Sequence, residues 1–234
     1  MTETATVAAP ARPTQNPWSL MLSVLVRPTR AFAQLRGRPM ILQPLLALWL
    51  VNLVVAYLQA NQLAQIGARF VESRSLPELY ALPHVLGSYT SPLLGGLLNV
   101  FLASVATGLL VAGLGAMAGG ESRIKEGWSL ALYAAVPAQL LAPLVTAAIR
   151  LLAPALSVKA GSSLIAVFLP FPPTAGSTYL LYLLDPLHLW SLGLLMAGLV
   201  AVMRLPWRKS AMVAGAAYLL VQLVAFTNAA MLAN

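Results

Sequence analysis

Five long stretches of this 234-residue chain contain no charged residue, and they constrain its fold more than any other feature. They cover residues 39–68, 79–120, 127–149, 186–203 and 210–234. Each contains a run rich in Leu, Ala and Val, and a bilayer-crossing helix needs about 20 predominantly apolar residues. Only 9% of the chain is charged, against about 25% in an average soluble domain. The pattern predicts an all-α, polytopic membrane protein, a five-span helical bundle with an N-terminal amphipathic interfacial segment.

A sixth charge-free stretch, residues 160–184, is interrupted by Pro170, Pro172 and Pro173. Each proline removes a backbone donor that lipid cannot replace. This stretch is therefore predicted to be a loop, apolar enough to lie at the membrane interface or to re-enter the membrane shallowly.

The chain is predicted to have three parts. Residues 1–17 lack the apolar region of a signal peptide and are expected to form a disordered tail. Residues 18–38 are expected to form an amphipathic cytoplasmic segment, and residues 39–234 the transmembrane domain. The expected spans are residues 40–60, 93–118, 127–149, 185–203 and 210–232.

The positions of Lys and Arg predict the orientation. Ten of the 14 lie before the first span, between the second and third, or between the fourth and fifth, and four lie on the other side. Because cytoplasmic segments are enriched in Lys and Arg, the N-terminus is expected in the cytoplasm and the C-terminus outside. Arg outnumbers Lys by 11 to 3, which fits a GC-rich bacterium and the inner (plasma) membrane.

The segment 18–38 places apolar and basic residues at near-helical spacing, which is typical of an interfacial helix. Pro28 is expected to start a second short helix within it. The segment is either a positive-inside anchor or a binding site for acidic lipid or a partner. The residues expected to contact the membrane surface or a partner are Arg27, Arg30, Phe32, Arg36 and Arg38.

The second span is rich in small residues, including a GxxxG pair at Gly115 and Gly119. Small residues let helices approach closely in a membrane. They indicate either packing within the chain or self-association.

The sequence contains few groups that could carry chemistry. It has no Cys and two His, and it lacks the HExxH, GxSxG and phosphate-loop motifs. Intramembrane catalysis requires ionisable residues within the spans, and the expected spans contain almost none. We therefore expect no enzyme activity, no cofactor, no metal and no nucleic-acid partner.

The most specific pattern is Asp185 followed by Pro186 and, one helical turn later, His188. Asp at an N-cap with Pro at the first helical position is a strong helix-start signal. Asp185 and His188 are also close enough in sequence to form a hydrogen-bonded pair, a proton relay or part of a metal site. Both the capping role and the functional pair are open on the sequence alone.

Amides are scattered through the spans, with the buried polar candidates being Asn52, Asn99, Gln139 and Gln222. They indicate either hydrogen bonds between helices or a polar path. Pro137 and Pro143 are expected to kink the third span and to free the carbonyl groups of Tyr133 and Gln139.

Three short motifs appear in order along the chain: Pro-x-x-x-Phe, Tyr-x-x-x-Pro and Asp-x-x-x-x-Trp. They are Pro28 to Phe32, Tyr133 to Pro137 and Asp185 to Trp190. With them the chain resembles, over residues 20–225, the bacterial branch of the Yip family of Ypt/Rab-interacting membrane proteins. The resemblance implies five spans and a cytoplasmic N-terminus. It does not imply Rab binding, since bacterial members have no settled molecular activity.

Two functions are compatible with this pattern. The first is a non-enzymatic scaffold or accessory subunit that acts through contacts with the lipid bilayer, with a membrane-protein partner or with a second copy. The second is a small-solute or lipid transporter, or a translocator, with a polar path through the bundle that Asn52, Asn99, Gln139 and the pair of Asp185 and His188 would line.

Overall fold

The computed structural model of the protein describes residues 16–73, 100–121, 123–152, 164–165, 181 and 183–233. The regular elements of these residues are helices. In chain order they are α1 (Pro17–Val26), α2 (Pro28–Leu35), α3 (Leu42–Ser73), α4 (Val100–Met117), α5 (Ile124–Ala134), a π-helical segment (Pro137–Leu141), α6 (Ala142–Leu152), α7 (Pro186–Met203) and α8 (Trp207–Ala233).

Local residue chemistry explains where several helices begin. The Asn16 side chain accepts a hydrogen bond from the Trp18 backbone N–H at 3.1 Å, and α1 starts with Pro17. Pro28 occupies the start of α2, as expected for a residue whose missing N–H is no loss in a first turn. The predicted amphipathic segment is therefore two helices that are separated at Arg27.

The protein crosses the membrane more than once. Among the described residues, α4 and α7 are each long and apolar enough to span a bilayer. A third candidate consists of α5 and the helical stretch Pro137–Ile149, which are bent relative to each other by 46°. The apolar stretch Leu42–Val55 of α3 is shorter than a span. The structure thus shows two or three candidate spans, fewer than the five expected from the sequence.

The expected span boundaries differ from the helices most at α3 and at the third span. Helix α3 continues to Ser73, beyond the expected end at residue 60. The third span is divided into two helices and the π-helical segment. Residues 93–99 of the expected second span and the tail 1–15 lie outside the described residues, as does most of the loop 160–184.

The N-terminal helices belong to the core of the molecule. Leu20, Val24, Phe32 and Leu35 are fully buried, and α2 packs against α7. Gly198 of α7 makes this contact possible, because a Cβ there would overlap Leu130 of α5 and lie 3.3 Å from Phe32 Cδ1.

The burial of Phe32 corrects one expectation from the sequence. Phe32 was expected to contact the membrane surface or a partner, but the apolar face of α2 is covered by α7 instead of by lipid. Arg27, Arg30 and Arg38 remain exposed.

Two glycines of α4 pack closely against other helices of the chain. A Cβ on Gly108 would lie 2.7 Å from the Trp128 backbone, and one on Gly115 would lie 2.5 Å from Met203 Sδ. Gly119 has a φ of +88° and follows the end of α4 at Met117. The GxxxG pair is therefore not a helix face, since its second glycine forms the turn that ends α4.

Candidate functional site

Three connections of the chain meet at one end of the bundle, and we call this end the basic face. It comprises residues 27–40, 118–126 and 204–209. Glu121 joins the three, because its carboxylate lies 3.0 Å from Arg36 Nη2 and 3.6 Å from Arg204 Nη1. Its backbone N–H also donates to the Met203 carbonyl at 3.1 Å. Lys209 Nζ adds a bond of 2.8 Å to the Ala118 carbonyl.

A second set of contacts holds the turn after α2 against the first turns of α5. Glu126 Oε1 accepts a hydrogen bond of 3.0 Å from the Gly37 N–H, where φ is +74°. The Ser129 hydroxyl donates to the Met40 carbonyl at 2.8 Å and accepts from the Met40 N–H at 3.2 Å. Glu126 is 8% exposed and Ser129 is fully buried. Buried hydrogen bonds of this kind fix the orientation of the N-terminal helices relative to the bundle.

Sequence reasoning missed Glu126 and Ser129. Their partners lie 89 residues away along the chain, so no local sequence pattern predicted the contact. The available signal was a carboxylate in the first turn of α5, where the N-terminal end of a helix favours negative charge.

Six exposed cations surround these contacts on the basic face. None of them forms an ion pair with a residue that the structure describes. They are Arg27, Arg30, Arg38, Arg123, Lys125 and Arg208. Of the five residues expected to make surface contacts, three are therefore available there, while Arg36 pairs with Glu121 and Phe32 is buried.

The third candidate span is broken at its prolines, and side chains of two neighbouring helices bond the backbone there. In a regular helix the Gln139 carbonyl would accept from the N–H of residue 143, which is a proline. Asn52 Nδ2 of α3 donates to that carbonyl at 3.1 Å and to the Leu48 carbonyl at 2.8 Å. Ser191 Oγ of α7 accepts from the Ala138 N–H at 3.1 Å.

These two bonds attach the broken span to α3 and α7. Exposed backbone groups are costly in hydrocarbon, so partners from α3 and α7 stabilise the bend. Asn52 thus forms a hydrogen bond between two helices. Ser191 was not singled out in the sequence, although it lies in the expected fourth span one turn after His188.

Asp185 caps α7 with both of its carboxylate oxygens. Oδ1 accepts from the Leu187 N–H at 2.9 Å, and Oδ2 accepts from the Leu164 N–H at 2.8 Å. The second bond ties residues 164–165 to the start of α7. His188 Nδ1 lies 3.6 Å from Asp185 Oδ1, and both residues are more than 90% buried. Asp185 therefore caps α7, and the His188 ring lies next to the capping carboxylate.

A cavity of about 130 Å³ lies between α4, the broken span, α7 and α8. Where one helix contributes several lining residues they follow helical spacing, for example His188, Ser191, Leu192 and Leu195 on α7. The polar residues that line it are Thr107, Gln139, His188, Ser191, Tyr218 and Gln222.

The cavity brings together only part of the polar set expected from the sequence. Gln139, Gln222 and His188 meet there, whereas Asn52 and Asp185 are not among its lining residues. Asn99 lies outside the described residues. Sequence reasoning missed Tyr218, which donates to the Leu183 carbonyl at 2.9 Å. Its position four residues before Gln222 was the available signal.

The part of the chain that the structure describes contains no group of three or more His, Asp or Glu that could hold a metal ion. The pair of Asp185 and His188 is short of the three protein ligands of a typical catalytic zinc site.

A comparison with protein-family models identifies the family. The Yip1 domain matches residues 22–228, which include the basic face, the broken span and the cavity. The chain belongs to the Yip1-domain family. Yip1-domain proteins are generally non-enzymatic, transport-related membrane proteins. No curated protein and no solved structure matches the chain significantly.

The bond between Asn52 and the Gln139 carbonyl leads to a prediction about stability. Asn52→Leu should lower the free energy of unfolding by about 1–2 kcal/mol, because it leaves a carbonyl without its donor. Pro143→Ala supplies a backbone N–H four residues after Gln139, so the same substitution should cost less in a Pro143→Ala background. Unfolding by SDS titration of the purified protein measures all four combinations.

Gln34→Leu is the matched control, since it removes an exposed amide on α2, outside the bundle core. It should change stability by less than about 0.5 kcal/mol. Equal costs of Asn52→Leu in the wild-type background and in the Pro143→Ala background would show that the amide does not act through the Gln139 carbonyl.

Proposed function

We propose that this Yip1-domain protein belongs to the bacterial branch of the family and crosses the inner membrane five times. Helices α3 and α8 support this, because they are 32 and 27 residues long and run through the charge-free stretches 39–68 and 210–234, each of which exceeds the about 20 residues that a span needs. With α4, the broken span and α7 they give five crossings.

The basic face supports a cytoplasmic N-terminus. With five spans, the N-terminal segment and the connections after the second and fourth spans share one side of the membrane. These three segments contact one another through Glu121, and the basic face that they form holds nine of the 14 Lys and Arg residues. The positive-inside rule then favours the cytoplasm for this face and the outside for the C-terminus.

Single-cysteine labelling tests this topology without background, because the chain contains no cysteine. Lys125 is an exposed residue of the basic face, and Leu184, which is 56% exposed, precedes α7 at the other end. A membrane-impermeant maleimide applied to intact spheroplasts should label Leu184→Cys at once and Lys125→Cys only after permeabilisation. The reverse pattern, or labelling of both from one side, would contradict five spans with a cytoplasmic N-terminus.

We propose that the protein is a non-enzymatic scaffold or accessory subunit, and that the basic face is its contact surface. The observation that carries this is the group of six exposed cations around a turn that Glu121, Glu126 and Ser129 hold in place. A positively charged surface that is already ordered loses little entropy on binding. Its charge favours an acidic protein segment or acidic lipid headgroups.

Mild extraction of the tagged protein at its natural expression level, followed by quantitative mass spectrometry, tests the scaffold proposal. We expect a stoichiometric partner. Replacing Arg27 and Arg30 together by Gln should lower its recovery several-fold, because both charges lie exposed at the junction of α1 and α2. Replacing both by Lys keeps the charge and should leave recovery within about twofold.

Recovery of the protein alone, or with lipid only, would contradict a scaffold that acts through a protein partner. A partner whose recovery does not change with the Gln substitutions would contradict the basic face as the contact surface.

A second candidate function is transport or translocation of a small solute or lipid. The observation that favours it is the cavity, where polar side chains from α4, the broken span, α7 and α8 face a common space. Transport differs from scaffolding in requiring flux, so reconstituted vesicles that pass neither ions, amphiphiles nor labelled lipid would contradict it.

A further inference from the structure

Three side chains on the cavity wall carry hydrogen-bonding groups that the rest of the described structure does not use. Gln139 and Gln222 each present an amide with two donors and an acceptor, and Thr107 presents a hydroxyl. None of these three side chains makes a hydrogen bond with a residue in the described ranges. An amide left without a partner in an apolar environment costs several kcal/mol. The cavity therefore favours an occupant that can both donate and accept hydrogen bonds.

The charge of the lining limits which polar occupant fits. No Asp, Glu, Lys or Arg is among the described residues that line the cavity. The carboxylate closest in sequence, Asp185, already accepts from two backbone N–H groups. The lining imidazole of His188 already lies 3.6 Å from the Asp185 carboxylate. A phosphate or carboxylate would therefore be buried there without a Lys or Arg partner, and an ammonium group without a carboxylate on the described lining, and both are strongly unfavourable. The lining thus favours an uncharged group.

The size and opening of the cavity limit the occupant further. About 130 Å³ is close to the volume of about 150 Å³ in which an engineered protein cavity holds benzene, a molecule of six heavy atoms. Val221 and Gln139 on its wall are exposed, so the cavity opens on the outside of the bundle. Gln139 lies near the middle of the broken span Ile124–Ile149, so this opening is at a depth that membrane-dissolved molecules reach.

We propose that the cavity is a binding site for an uncharged, hydroxyl-bearing group about the size of glycerol. Such a group can both donate hydrogen bonds to and accept them from Gln139, Gln222 and Thr107, whose side chains have no hydrogen-bond partner among the described residues. It reaches the site either as the polar end of a neutral lipid such as diacylglycerol or as a free polyol such as glycerol. The site is separate from the basic face, so its occupancy does not depend on the scaffold function.

Protection of a cysteine on the cavity wall tests the proposal in the full-length protein. Ala135 lines the cavity and is half-buried, and Ala216 is an exposed residue of α8 that does not line it. Each is changed to Cys in the otherwise cysteine-free chain, reconstituted in phosphatidylcholine nanodiscs. The rate of alkylation by a small thiol reagent is then measured with dioctanoylglycerol, with glycerol and with dioctanoyl phosphatidic acid.

We expect alkylation of Ala135→Cys to slow saturably with one or both of the uncharged probes and alkylation of Ala216→Cys to stay unchanged. Slowing by dioctanoylglycerol alone identifies a lipid as the source of the hydroxyl group, and slowing by glycerol identifies a free polyol. Adding Gln222→Leu should raise the concentration needed for protection about tenfold, the effect expected from losing hydrogen bonds to the occupant. Gln34→Leu, on α2, should not raise it.

Two results would overturn the proposal. The first is alkylation that neither uncharged probe slows, or that each slows equally at Ala216→Cys, which would mean that the cavity holds only water. The second is protection by phosphatidic acid equal to that by dioctanoylglycerol, which would contradict selection against charge. If Gln222→Leu fails to fold, the comparison of probes in Ala135→Cys alone still decides, and Ala217→Cys, a lining position on α8, repeats it.

The arginine substitutions on the basic face distinguish the two proposals. Replacing Arg27 and Arg30 by Gln should leave the protection of Ala135→Cys unchanged, because neither residue lines the cavity. The cavity proposal can therefore fail while the scaffold proposal stands, and the scaffold proposal can fail while the cavity proposal stands.

Discussion

A helix in a bilayer has to satisfy its own backbone hydrogen bonds, and this chain places two prolines in the middle of one span. Neither Pro137 nor Pro143 can donate a backbone hydrogen bond. The helix bends by 46° at the break before Pro137, and Pro137–Leu141 is π-helical. The backbone groups near the break bond to Asn52 on α3 and to Ser191 on α7. These bonds attach the broken span to two other helices, and the cavity lies beside the bend.

The parts of the fold that depend on local chemistry could be predicted from the sequence. Charge-free stretches indicated where helices run, and the starts of α2 and α7 follow from Pro28 and from Asp185 with Pro186. The effect of Pro143 on its own helix could also be anticipated, because it concerns residues only four positions apart. The number of spans does not follow in the same way. The charge-free stretches predict five, whereas the length and composition of the described helices give two or three candidate spans.

The contacts between distant segments could not be predicted. Glu126 and Ser129 bond to backbone 89 residues away, and Ser191 to backbone 53 residues away. None of these contacts has a local sequence signature, because a serine or glutamate at these positions could equally have remained on the surface. Phe32 illustrates the same limit, since its helix is amphipathic whether it faces lipid or α7, and its burial depends on packing against α7, a distant segment of the chain. The match to the Yip1 domain, residues 22–228, includes all of these segments.

The claim that side chains of neighbouring helices stabilise the broken span is tested most directly by amide hydrogen exchange at Ala138, resolved by NMR in lipid nanodiscs. Ser191→Ala removes the acceptor of the Ala138 N–H and should speed its exchange about tenfold, the equivalent of one hydrogen bond. Ser23→Ala is the matched control, because the Ser23 hydroxyl bonds within α1. Exchange at Ala138 that is the same in the wild type and in Ser191→Ala would contradict the claim.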